Sequence, residues 1–77
     1  MLLYEIGVAC KNARKRNGKT QASVATSLGC TVENISAFEH GRNNNAIILF
    51  YYLSRFNAFI EIQKLVKTIP KNEVILK

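Results

Sequence analysis

Aspartate and tryptophan are absent from this 77-residue chain, which has one histidine, His40, one proline, Pro70, and two cysteines, Cys10 and Cys30. Without aspartate, cages for Mg²⁺ or Ca²⁺ lose a favoured ligand and a common nucleophile disappears. A hydrolytic constellation or a zinc centre would have to be assembled from one His, two Cys and five scattered Glu. No metal, cofactor, small-molecule ligand or enzymatic activity is therefore expected. Both cysteines fall where a helical pattern wants a small core residue, so free thiols are expected rather than a disulfide. The apolar opening MLLYEIGVAC has no Lys or Arg before Lys11 and carries Glu5 within it. It lacks the flanks of an export signal and is too short to cross a bilayer, so a cytoplasmic protein without membrane contact is expected.

What is abundant is positive charge and apolar mass. Eleven Lys and Arg against five Glu leave a formal net charge of +6, with 48% of residues hydrophobic and 21% charged. That balance describes a folding chain rather than a disordered basic tail, and the length suffices for one small domain. The expected organisation is one domain over residues 1–69 and a C-terminal segment, 70–77, that is either a short strand or a loose tail.

Spacing makes the domain all-α with five helices. Leu3, Ile6, Cys10 and Ala13 recur at helical period, with Lys11, Arg14, Lys15 and Arg16 on the other face, and Asn17-Gly18 ends the segment. Thr20 caps a second helix with the apolar stripe Val24, Ala25 and Leu28, closed by Gly29. Thr31 caps a third, with Ile35, Phe38 and Glu39 on one side and Gly41 as its stop. The Arg42-Asn43-Asn44-Asn45 stretch has turn chemistry, Asn45 capping the next helix. Ile47 to Leu53 could be a buried strand in isolation, but its length and helical context favour a buried helix to about Phe56. Phe59, Ile62, Leu65, Val66 and Ile69 keep helical spacing up to Pro70.

The stretch Thr20 to Gly41, TQASVATSLGCTVENISAFEHG, holds two short helices pivoting on Gly29. Ala25 allows close helix approach, and Ile35 and Phe38 anchor the second helix. This is the pattern a helix-turn-helix requires, spanning residues 20–40. Thr20-Gln21, Ala25, Leu28-Gly29, Ile35-Ser36, Glu39 and Gly41 resemble the Cro/phage-repressor (Xre-like) family, which implies a compact lambda-repressor-like DNA-binding domain. On that resemblance Thr20 and Gln21 stand where a helix N-terminus meets a DNA phosphate. Thr31, Val32, Glu33 and Ala37 stand at base-reading positions, and His40, Arg42, Asn43 and Asn44 where the family grips the backbone. The resemblance also pairs Arg14 with Glu39 as a structural ion pair between the first and third helices.

The residues themselves temper those roles. Counted at 100° per residue from Ile35, the outer side of the third helix holds Glu33, Asn34, Ser36, Ala37 and His40, with Val32 beside them. Asn34 suits adenine, Glu33 can accept from cytosine N4, and Val32 and Ala37 can touch thymine methyls, but no Arg or Gln lies on this face. Glu33 serves the helix dipole equally well, Thr20 is also a plain cap, and His40 is either a phosphate contact or merely exposed. Lys11, Lys15, Arg16 and Lys19 remain as a basic face, solvated or against DNA. Seven consecutive large apolar residues, 47–53, exceed what so small a core can bury, and exposed apolar surface marks interfaces. A homodimer through the fourth and fifth helices is expected, involving Tyr51, Phe59, Ile62 and Val66, with segment 73–76 pairing across a twofold axis. The expected function is a Cro-like transcriptional repressor on a palindromic operator, with the third helix in the major groove of double-stranded DNA. The rival reading is a protein-interaction module of the same fold, such as an antitoxin, an anti-repressor or an inhibitor of a host factor.

Overall fold

A computed structural model describes residues 2–68, with side chains described for residues 3–65. Among these residues the chain forms five helices and no strand: α1 Leu2–Arg16, α2 Gln21–Leu28, α3 Val32–Glu39, α4 Ala46–Arg55 and α5 Phe59–Thr68. The expected all-α architecture is present. Segment 70–77 and the 73–76 pairing lie outside the described residues, as does the side chain of Val66.

Each boundary has a local cause. Thr20 and Thr31 are extended caps whose hydroxyls accept from the N–H groups of Ser23 and Asn34, each at 3.1 Å. The Asn45 side chain accepts from both Ile47 and Ile48, at 2.9 and 3.2 Å. These bonds satisfy donors that have no acceptor inside the helix. Gly29 has φ +71°, so the chain reverses after α2 in a backbone conformation that a side chain would resist. Between α4 and α5 that conformation falls to Asn57 at φ +52°, a residue type that tolerates it.

The helices enclose a core of Cys10, Ala13, Val24, Ala25, Ile35, Phe38, Ile48, Tyr52, Phe56 and Ala58. Tyr52 sits among aromatic rings, its centroid 5.5 Å from Phe38 and 5.4 Å from Phe56. α1 runs against α5, α3 and α4, and α2 packs mainly on α3. The α1–α3 crossing is close because Gly7 is there. A β-carbon on Gly7 would stand 2.5 Å from the Glu39 carbonyl oxygen. The sequence pattern marked Leu3 as a core residue, but Leu3 is exposed; Ala9 and Gly7 are buried instead. The inner face of α1 is thus lined by small residues, which lets the neighbouring backbones approach.

The apolar run in α4 divides by helical period. Ile48 and Tyr52 face inward, whereas Ile47 is 70% and Phe50 71% exposed. Phe59 and Ile60 at the start of α5 are exposed as well. Among the described residues, no helix is long and apolar enough to cross a membrane.

Candidate nucleic-acid interface

The α2–α3 unit is held from behind by a buried polar network centred on Glu39. Arg14 is 6% exposed and Glu39 2%. Arg14 Nε donates to Glu39 Oε2 at 2.7 Å and Nη2 to Oε1 at 3.1 Å, the two-pronged geometry that best compensates two desolvated charges. The remaining valences are filled. Gln21 Nε2 donates to Oε1 at 3.0 Å, Tyr52 Oη donates to Oε2 at 2.5 Å, and Arg14 Nη1 donates to the Lys19 carbonyl at 2.8 Å. One carboxylate therefore fastens α1, α2 and α4 to the last residue of α3, and Arg14 ties in the α1–α2 turn.

The electrostatics follow. Burial opposes ionisation of Glu39, but hydrogen bonds from Arg14, Tyr52 and Gln21 overcome it and hold the carboxyl below its ordinary range. Its hydrogen bond to Arg14 raises the guanidinium pKa further. Burial, reinforced by the bond to Glu39, pushes the Tyr52 phenol well above its usual value.

Fixed by that network, α3 buries Ile35, Phe38 and Glu39 and leaves Thr31, Val32, Glu33, Asn34 and His40 exposed, with Ser36 and Ala37 half-buried. Val32 is an apolar side chain left 41% exposed in the first turn of α3. Thr20 is exposed, and its hydroxyl caps α2. Gln21 is half-buried and turns its amide toward Glu39. Any anion contact by Gln21 therefore uses its backbone N–H at the positive end of the helix.

Beyond α3, the His40 ring folds back, its Nδ1 2.8 Å from the Ser36 carbonyl. A carbonyl only accepts, so a hydrogen bond here requires the proton on Nδ1. In the loop, Arg42 and Asn44 are exposed. Asn43 is half-buried and its Oδ1 accepts from the Asn45 N–H at 3.2 Å, so it shapes the loop whatever else it touches. Of the residues expected at a dimer interface, Phe59 is exposed, whereas Tyr51 and Ile62 are half-buried against the core.

One member of the expected basic face is otherwise engaged. Arg16 donates to Glu61 through Nε at 2.7 Å and Nη2 at 3.0 Å, and to the Phe56 carbonyl at 2.8 Å. It clamps α5 to the end of α1, and its hydrogen bond lowers the Glu61 carboxyl pKa.

The spacing of residues did not reveal this clamp, since nothing in a chain relates an arginine at position 16 to a glutamate at 61. Tyr52 did leave a signal. A tyrosine in the inward register of an apolar helix needs a partner for its hydroxyl, and Glu39 was the buried acceptor available. Among the described residues no three His, Cys or Glu side chains gather as a metal ion would need. No family model, curated protein or solved structure matches the chain.

Proposed function

We propose that this chain is a sequence-specific double-stranded DNA-binding regulator, a Cro-like repressor that acts by occupying a palindromic operator. The observation that carries the reading is the disposition of α3. It is backed through buried Ile35, Phe38 and Glu39, and it leaves Thr31 to Asn34 exposed across an αL glycine turn from α2. A helix that reads a groove needs that combination of fixed back and polar, uncovered front.

In this reading the α2 N-terminus at Thr20 and Gln21, with Arg42 and Asn44, positions the unit on phosphates. Asn34 pairs with adenine and exposed Val32 meets a thymine methyl. The absence of Arg and Gln on the α3 front makes DNA shape a substantial part of the specificity. The exposed side chains of Ile47, Phe50, Phe59 and Ile60 support a homodimer, whose two α3 helices would stand about 34 Å apart, one turn of DNA. The same exposed apolar side chains favour the rival reading, a protein-interaction module.

Selection of bound sequences from a random duplex pool decides between them. DNA binding predicts a palindromic consensus, and about six phosphate contacts predict a log–log salt slope of roughly −5. Asn34→Ala should relax preference at one base pair, whereas Arg42→Gln should weaken all sequences alike. No enrichment together with a flat salt response refutes the proposal in favour of the protein-interaction module.

A further inference from the structure

Away from the α3 front, one concavity has a lining with a consistent chemistry. A pocket of about 260 Å³ lies between the α1–α2 turn, α2 and the end of α4, lined by Asn17, Lys19, Ser23, Ser27, Tyr51 and Arg55, with Phe56 completing the wall. Two cationic and three hydroxyl side chains share this space, and among the described residues no carboxylate lines it. None of the exposed residues of α3 contributes to it.

Ser23 and Asn17 spend their donors on backbone carbonyls, whereas the charges of Lys19 and Arg55 and the Ser27 and Tyr51 hydroxyls are not spent in this way. The ion pairs of the described residues join Arg14 to Glu39 and Arg16 to Glu61, so neither Lys19 nor Arg55 has a carboxylate within ion-pair distance there. The Lys19 carbonyl takes Arg14 at 2.8 Å, the Phe56 carbonyl takes Arg16 at 2.8 Å, and the Thr20 carbonyl takes the Ser23 hydroxyl at 2.9 Å. What the lining leaves among the described residues is a surplus of positive charge at Lys19 and Arg55 and the Ser27 and Tyr51 hydroxyls.

The walls are braced. Asn17 Nδ2 bonds the Ala13 and Phe56 carbonyls at 2.8 and 3.3 Å. Tyr51 packs edge-on to Phe56 with centroids 5.6 Å apart, and the Arg55 guanidinium lies 5.8 Å from the Tyr51 ring centre. A guanidinium resting on an aromatic face is partly ordered before any anion arrives.

Size and chemistry together select the ligand. The volume falls just below the roughly 300–1,000 Å³ typical of sites for organic ligands, which suits a compact oxyanion with a few waters. Donors from three separate segments suit a tetrahedral group with several acceptor oxygens. We propose that this pocket binds a phosphoryl group, held by the charges of Lys19 and Arg55 and by the Ser27 and Tyr51 hydroxyls. The phosphoryl group comes either from a free phosphate compound or from the backbone of a nucleic acid, and the proposal stands independently of groove reading by α3.

The test is an amide NMR titration of the full chain with inorganic phosphate, against chloride at equal ionic strength. Saturable shifts at Lys19, Ser23, Ser27, Tyr51 and Arg55 are expected with phosphate and not with chloride. Arg55→Gln should weaken the affinity at least ten-fold, and Lys15→Gln, outside the pocket, should leave it unchanged; the spectra themselves report folding. Repeating the titration with a DNA duplex present separates the sources. If duplex shifts the same amides and blocks phosphate, the occupant is a backbone phosphodiester; if phosphate still saturates, it is a free phosphoryl compound. Shifts scattered over the basic surface, an equal response to chloride, or an unchanged affinity in Arg55→Gln overturn the proposal. A failure of DNA binding alone does not, because the phosphate titration stands without it.

Discussion

Replacing Tyr52 by phenylalanine removes one oxygen from the centre of the molecule and changes little else. The ring is fully buried, and its packing on Phe38 and Phe56 survives the substitution. What is lost is the hydrogen bond to Glu39 Oε2. Bonds to charged acceptors contribute about 1.5–3 kcal/mol. Oε2 keeps Arg14 Nε at 2.7 Å, so the expected loss lies in the lower half of that range, about 1.5–2 kcal/mol. For a domain of this size each kcal/mol shifts Tm by about 4–8 °C, giving a fall of roughly 6–16 °C.

The loss also carries a pH signature. Glu39 has a folded pKa below its unfolded value, so its ionisation contributes stability that is present above about pH 4.3 and lost as pH falls through the folded pKa. Tyr52 is one of the donors that depress that pKa. The variant has less such stability to lose, so the gap between the two proteins should narrow on acidification. Urea unfolding at a series of pH values from 7 down to the onset of acid unfolding, at one fixed protein concentration, follows the gap. A gap under about 0.5 kcal/mol at pH 7, the ordinary scatter of inconsequential substitutions, refutes the reasoning. So does a gap that widens as the pH is lowered.

Three further outcomes are expected. Gly7→Ala should destabilise by about 1–3 kcal/mol despite the better helix propensity of alanine, because its β-carbon meets the Glu39 carbonyl at 2.5 Å; a raised Tm would contradict the close α1–α3 crossing. Arg16→Ala should lower hydrogen-exchange protection in α5 while leaving α2 and α3 protected, since it removes the clamp onto Glu61 and the Phe56 carbonyl; unchanged α5 protection would show the clamp to be idle. Burial, with lesser contributions from Glu39 and Glu61, pushes the Cys10 thiol up to about 12, so an aromatic disulfide reagent at pH 8 should react with half-buried Cys30 first and with Cys10 only on unfolding. Equal reaction of both thiols in the native protein would contradict the burial of Cys10.

Local chemistry made most of the architecture legible. Thr20, Thr31 and Asn45 cap the helices where their side chains said they should, because a cap depends only on neighbours within three residues. The inward set Val24, Ala25, Ile35 and Phe38 followed from periodicity, because one helical face must leave water. Periodicity was less informative at the start of α1, where small Ala9 and Gly7 are buried and Leu3 is not. A close crossing selects for absent side-chain volume, which hydropathy does not register. Tyr51 and Ile62 stand in apolar segments and pack half-buried against the core. Ile47 and Phe50, in the same run as Tyr51, are the exposed pair. In a helix with apolar residues nearly all round, only the packing partner determines which face is inside.

By itself, then, the sequence determined the five helices, their caps and turns, and the outward face of α3, because each rests on contacts between near neighbours in the chain. Only the tertiary structure decided that Gln21 and Tyr52 complete the bonds of Glu39, that Arg16 leaves the basic face to hold α5, and that Lys19 and Arg55 border a common pocket. These arrangements join residues as much as 45 positions apart. Pairing at that range depends on how the helices dock, and many dockings are compatible with the same local pattern.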